Sequence, residues 1–227
     1  MLLDQLKERL IETSSIARRI YGLKLLFSSG LNDESKWFLL NREKLKFKVK
    51  LKSNGLVLDF GGYVGDFTSK LLKLNPNMSF LIFEPVPHFF KKCKNRFSKN
   101  QNVSVLPYGV TSNGRRIDLT IDGPRTRTNE LDKNLIFASK PITEILAGLD
   151  QVELMKMNIE GLEYECLFSI IQSDSIKKVN YLLVQFHNFR IEDQNNYLEI
   201  TQLISEDFIR VFSYKWKWEL WQKKNLN

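Results

Sequence analysis

The sequence predicts an α/β fold, a mostly parallel sheet with helices on both faces and a last strand running antiparallel. Three observations carry this expectation. From residue 56 onward, short apolar runs alternate with stretches of helical spacing, the rhythm of strand–helix–strand units. The runs at 56–60, 79–83, 103–106, 152–157 and 179–186 are largely apolar on successive residues. That is the pattern of strands buried on both faces. Residues 208–214 and 215–221 then alternate like a closing antiparallel pair, with Trp216, Trp218 and Trp221 expected to pack within it.

The elements follow in order. Residues 2–27 place Leu3, Leu6, Leu10, Ile11, Ile16, Ile20 and Leu23 at helical spacing, so one or two amphipathic helices form an N-terminal cap or arm over 1–50. Arg18, Arg19 and Lys24 make one side of this arm basic, suited to substrate gating or dimerisation. Residues 28–33 read as a loop. Lysines alternate with Leu45, Phe47, Val49 and Leu51 over 44–52, which predicts a half-buried strand or ribbon leading into the main domain, 51–227.

Helices are expected at 65–74, 87–97, 143–149, 162–172 and near 194–205. Between them, 111–135 breaks the alternation. A short strand is expected at 116–121, after an Asn113-Gly114 turn, followed by an irregular loop rich in breakers. Arg125 and Arg127 are that loop's cations, suited to a phosphate or carboxylate on a substrate; the alternative reading is a disordered surface loop.

Whole-chain composition narrows the class. The chain has 227 residues, 43% hydrophobic and 26% charged, which suits one globular domain. No apolar run approaches the ~20 residues of a membrane-spanning helix. The opening MLLDQLKERL mixes acids and bases among its leucines, unlike a signal peptide. The expected compartment is the cytoplasm, where Cys93 and Cys166, lacking metal-ligand spacing, are buried or inert thiols. A formal charge of +8 suits an acidic partner: nucleic acid, an anionic membrane surface or a phosphorylated substrate.

The chemistry concentrates at strand ends, where doubly wound sheets bind ligands. The run Asp59-Phe60-Gly61-Gly62-Tyr63-Val64-Gly65 is a strand end, a glycine turn and a helix start. Glycines permit the sharp turn and a close ligand approach, and the helix N-terminus offers free N–H groups. Its D-x-G-G-x-x-G spacing is not that of a dinucleotide fingerprint. Glu84, at the end of the second run and 25 residues beyond Asp59, stands near the offset of an acid that binds ribose hydroxyls. Pro85 follows it. Tyr108 and Gly109 close the third run, where Tyr108 can line an adenine or cap the strand. Asn158, Glu160 and Gly161 end the fourth run, and Gln185 and His187 end the fifth. Glu160 is open to a second reading, as a carboxylate capping the following helix.

Strand, glycine turn, helix, strand and acid together resemble the S-adenosylmethionine site of class I methyltransferases. The resemblance becomes specific with Leu154-Met155-Lys156-Met157-Asn158-Ile159-Glu160-Gly161-Leu162-Glu163, which resembles the lK-x-D-x-EG-x-E signature of the FkbM-type methyltransferases. Asp59 to Gly65 matches that family's D-x-GA-N-x-G, and Phe83-Glu84-Pro85 its fEP. His187 matches the histidine ending its fifth strand. The likeness covers about 55–190.

It implies a Rossmann-like, seven-stranded class I methyltransferase fold. Asp59, Phe60, Gly61, Gly62, Tyr63, Gly65, Glu84, Pro85, Tyr108 and Gly109 would bind S-adenosyl-L-methionine, with S-adenosyl-L-homocysteine the product. The implied reaction is O-methylation of a carbohydrate, sugar nucleotide or glycolipid precursor. His187 would be the base, with Glu160 and Asn158 beside it and Gln185, Arg125 and Arg127 on the substrate. Asn158 and Gln185 replace the family's usual aspartate and frequent glutamate, which argues against a bound metal. Two other readings are an RNA methyltransferase and a non-catalytic cofactor-binding protein. Base-amino methylation usually brings Asn-Pro-Pro-aromatic at the fourth strand, and Asn158-Ile159-Glu160-Gly161 is not that. Nucleic acid is therefore not the expected partner, and a homodimer is left open.

Overall fold

The computed structural model describes residues 14–122, 125–128 and 135–226. The chain opens with α1 (Ser15–Ser29), α2 (Asp33–Leu39) and a 3-10 turn (Arg42–Phe47). The alternating units follow as β1 (Leu56–Phe60), α3 (Asp66–Leu74), β2 (Ser79–Phe83), α4 (Pro87–Arg96) and β3 (Val103–Leu106). Five short strands come next: β4 (Gly109–Thr111), β5 (Ile117–Asp122), β6 (Arg125–Thr128), β7 (Leu135–Phe137) and β8 (Ser139–Pro141). The last part holds α5 (Ile142–Ala147), β9 (Val152–Met157), α6 (Glu163–Gln172), β10 (Val179–Val184), α7 (Asp193–Asp207), β11 (Phe208–Tyr214) and β12 (Trp218–Lys223).

The main sheet has seven strands in the order β11-β12-β10-β9-β1-β2-β3. Every pair from β10 to β3 is parallel, and β12 runs antiparallel between β10 and β11. This is the expected seven-stranded, Rossmann-like sheet with its antiparallel closing strand.

Period-two alternation sends each strand's side chains to two cores. On one face Leu58, Phe60, Met155, Met157, Leu182 and Val184 pack against Leu146 of α5, Leu167 of α6 and Ile200 of α7. On the other, Val57, Leu154, Tyr181 and Leu183 meet Leu71 of α3 and Trp37 of α2. Both faces are apolar because both are covered, and the sequence reads accordingly.

The chain departs from expectation in several places: α2, β4, β7 and β8 were not expected, 215–217 form a turn ahead of β12, and two further stretches differ in kind. Residues 44–52 form no strand; the 3-10 turn ends at Phe47 and irregular chain follows. Phe47, Val49 and Leu51 do face the core, but the backbone here joins no ladder. The Lys52 N–H instead donates to the Glu153 carboxylate at 2.8 Å. The stretch expected to be an irregular loop carries β6, which pairs antiparallel with β5 in a three-stranded sheet, β6-β5-β7. Breaker-rich composition hides a strand whose partner is only three residues away in sequence. Residues 129–134 lie outside the described residues.

Candidate active site

The carboxyl ends of β1, β2, β9 and β10 meet at one edge of the sheet. The glycine turn after β1 is fastened to the end of β2. The N–H groups of Gly61 and Gly62 both donate to the Phe83 carbonyl, at 3.0 and 3.1 Å. Glu84 completes the fastening: its Oε2 accepts from the Tyr63 N–H at 2.7 Å and its Oε1 from the Val86 N–H at 2.8 Å. Burial pushes the Glu84 carboxyl up to about 7, against these two backbone hydrogen bonds, which hold it down.

The glycines are required by the protein's own packing. Gly61 has φ +80°, and a Cβ there would lie 1.9 Å from the Asn158 carbonyl oxygen. A Cβ on Gly62 would meet Ile82 Cγ2 at 2.1 Å, and one on Gly65 the Phe97 ring at 2.5 Å. The sharp turn expected of these glycines is present, with φ +80° at both Gly61 and Gly65, and the atoms nearest an added Cβ belong to neighbouring elements. Tyr63 also sits in the left-handed region, φ 51°, a conformation that costs a non-glycine residue energy and concentrates at functional sites.

Beneath the turn lies a buried charge pair. Asp59 and Lys156 are register partners on β1 and β9, so their side chains share one face, 2.9 Å apart. Lys156 Nζ also donates to the carbonyls of Phe60 and Gly61, at 3.1 and 2.7 Å. The other Asp59 oxygen accepts from Thr68 of α3 at 2.7 Å. Asp59 and Phe60 are wholly buried, so the structure places them under the turn rather than on its surface.

The second half of the site is built on β9 and β10. Asn158 donates its N–H to the Phe60 carbonyl at 3.1 Å, while its buried Oδ1 has no hydrogen-bond partner. Glu160 and Gly161 follow with φ 57° and 98°, a left-handed pair that turns the chain into α6. Glu163, the first residue of α6, is fully buried, and its Oε1 and Oε2 accept from the N–H groups of Ile159 and Gly161 at 2.9 and 3.0 Å.

The same Oε1 lies 2.9 Å from His187 Nδ1. Tyr164, next along α6, donates its hydroxyl to the His187 carbonyl at 2.8 Å. The first turn of α6 therefore holds the histidine by backbone and ring together. Glu160 Oε2 stands 3.6 Å from Nε2, beyond a hydrogen bond, and Gln185 Nε2 stands 3.5 Å from it. Burial disfavours the imidazolium, but the charges and hydrogen bond of Glu163, with the charge of Glu160, outweigh it and raise the His187 pKa; the Lys217 charge opposes them.

The other expected residues fall into two groups. Pro85 and Tyr108 flank the β2 and β3 ends, where the Tyr108 ring packs edge-on against Phe83 at 5.7 Å. Gly109 opens β4, and its N–H donates to the Ala138 carbonyl. Arg125 and Arg127 lie on β6, outside the main sheet, and their side chains fall outside the described residues.

Cys93 and Cys166 are free and buried, and burial raises both thiols. Among the described residues, no group of three or more His, Cys, Asp or Glu is placed to hold a metal ion. No helix among them is long and apolar enough to cross a membrane. Sequence reasoning passed over Glu163, having set Glu160 beside His187 or, on its second reading, at the cap of the following helix. The second glutamate of the E-G-x-E spacing was the available signal, falling in the first helical turn.

The fold is shared with solved methyltransferases. An FkbM methyltransferase from Methylobacillus flagellatus aligns with 91% of this chain at TM-score 0.57 and 16% identity. This chain spans 59% of that protein's length. A Streptococcus mutans protein assigned as a methyltransferase, solved in complex with SAH, aligns over 81% of this chain and 97% of its own, with TM-score 0.51 and 9% identity. An assigned rRNA methylase from Clostridium thermocellum covers 81% and 94%, at TM-score 0.50 and 12% identity. No curated protein matches the sequence. The model of the methyltransferase FkbM domain matches residues 59–214, which take in the glycine turn, Glu84, the β9 end and His187. On that match, the chain belongs to the FkbM methyltransferase family.

Proposed function

We propose that this chain is an S-adenosylmethionine-dependent O-methyltransferase acting on a hydroxyl of a carbohydrate, sugar nucleotide or glycolipid precursor. The observation that carries the reading is the Glu163–His187 pair, held by α6 at the same sheet edge as the glycine turn. The residues present fit the cofactor. Asn158 Oδ1 is a buried acceptor in want of a donor, across from Gly61. Each Glu84 oxygen keeps a lone pair beyond its one backbone bond. Glu84 would accept from the ribose hydroxyls and Asn158 from a further donor, with Tyr63, Pro85 and Tyr108 beside them. When bound, the cofactor supplies a methyl group already activated on a sulfonium.

The protein's own share is positioning and one proton. A carboxylate at His187 Nδ1 fixes the proton on that nitrogen and leaves Nε2 an acceptor, its lone pair facing the Gln185 amide at 3.5 Å. Nε2 takes the acceptor hydroxyl's proton as the oxygen attacks. The Glu163 carboxylate then stabilises the imidazolium. The Glu160 carboxylate, 3.6 Å from Nε2, adds to that stabilisation and would accept from a neighbouring hydroxyl of the acceptor. Holding oxygen and methyl carbon in line supplies much of the remaining rate.

His187→Ala tests this directly. It should lower kcat by roughly 10²–10⁴-fold while cofactor affinity, measured by calorimetry, stays near wild type. Nearly full activity in that variant would remove the histidine from the chemistry. Neutral Asn158 and Gln185 further support turnover without a metal. Activity should survive EDTA, and loss in chelator with recovery on adding Mg²⁺ would refute this.

A further inference from the structure

Helix α1 wears its apolar side outward. Its inner side is seated: the Tyr21 ring meets the Phe38 ring edge-on at 4.9 Å. Arg18 Nε donates to Asn41 Oδ1 at 2.8 Å. Gly22 lies so close to α2 that a Cβ would stand 2.6 Å from the Leu39 nitrogen. With that side fixed, Ile16, Ile20, Leu23 and Phe27 fall at i, i+4, i+7 and i+11, one stripe along the opposite side. They are between 46 and 88% exposed. Four large apolar residues in line on a surface are a binding feature, whereas scattered ones are ordinary.

The charge around the stripe identifies what it meets. Arg19 and Lys24 are exposed and flank it, and α1 contains no acid. Residues 14–52 together hold ten lysines and arginines against three acids, a net of +7 beside +8 for the whole chain. The positive charge therefore gathers in the layer that carries the stripe. A second copy would bring the same cations against these, a like-charge contact with no acid in either α1 to relieve it. Nucleic acid matches the cations but leaves Ile16, Ile20, Leu23 and Phe27 against phosphates. An anionic bilayer surface matches both, taking apolar side chains at the acyl boundary and cations among the headgroups.

We propose that α1 is an interfacial helix that docks this chain on anionic lipid surfaces. The proposal does not depend on the methyl-transfer reading, because binding is measured without turnover. The experiment is co-sedimentation of the full chain with vesicles of phosphatidylcholine alone and of phosphatidylcholine mixed with phosphatidylglycerol. Binding should favour the anionic vesicles at least about tenfold and weaken as salt is raised. The double variant Ile20→Ser, Phe27→Ser should lose about tenfold or more, since each buried apolar side chain is worth that order of partitioning. Arg19→Gln with Lys24→Gln should lose about tenfold. Melting temperatures of both variants should match wild type, as all four side chains point outward.

Four outcomes overturn the proposal. One is equal or absent binding to both vesicle types. Another is unchanged binding by the serine variant. A third is a solution dimer that the serine variant splits, which would give the stripe to a second copy. The last is tight RNA binding that needs the cations and ignores the serines.

Discussion

Under the proposed function, Glu84 joins fastening and recognition in one side chain. Its two bonds to the Tyr63 and Val86 N–H groups fix the glycine turn, and on that proposal its remaining lone pairs would accept from a ribose. Only the ionised form does both. Burial holds the group's pKa at about 7, so acidification through neutrality converts acceptor into acid. Cofactor affinity should therefore fall about tenfold for each pH unit below 7, the slope of one bound proton. In Glu84→Gln, calorimetry should show weaker binding and a flat pH profile; an unchanged slope would place the titrating group elsewhere. Glu163 makes the parallel case at His187. In Glu163→Gln the amide can accept from only one of the Ile159 and Gly161 N–H groups and presents N–H to the other, costing about 1–3 kcal/mol of stability. It also removes the charge that raises the histidine. The acidic limb of the pH–rate profile, where His187 is protonated and cannot act as the proposed base, should move to lower pH. A destabilised variant with an unmoved limb would reduce Glu163 to a structural anchor.

At the scale of elements, the unit β1–turn–α3 is the one most strongly specified by its residues. Gly61→Ala sets a Cβ at 1.9 Å from a backbone oxygen, an atom that cannot rotate away, in a left-handed conformation. The conformation alone costs about 1–2 kcal/mol. Denaturant unfolding should show a loss larger than this, together with weakened cofactor binding. An alanine variant of wild-type stability would mean the turn relaxes without harm. The same unit shows why so much was legible. Strands buried on both faces write themselves as apolar runs, and Glu84 and His187 stand just past the ends of such runs. What escaped was non-local. Whether an alternating segment becomes a strand depends on a partner: residues 48–52 join no ladder, whereas Arg125–Thr128 find β5. Glu163 escaped for a related reason. Choosing it over Glu160 requires the left-handed turn at 160–161, which leaves Glu160 two residues ahead of the N-cap, Leu162.

For the whole molecule the open matter is whether the N-terminal helices are an appendage or part of one cooperative body. Trp37 of α2 decides it physically. It is 1% exposed, and its ring lies 5.3 Å from Tyr214 and 6.4 Å from Phe212, both on β11. Its indole N–H donates to Glu43 at 3.0 Å, in the 3-10 turn. The Lys215 N–H donates to Asp33 and Lys217 pairs with Glu34, so the start of α2 is tied to the turn between β11 and β12. A core shared this closely should melt with the sheet. Trp37→Ala should lower stability by about 3–5 kcal/mol, the usual range for emptying a buried tryptophan site. Far-UV circular dichroism and resistance to proteolysis within the main sheet should fall together in one transition at lower denaturant. If the N-terminal layer instead melts first, leaving the sheet's protection at its wild-type level, the layer is an independent arm and the shared core contributes nothing to the main sheet.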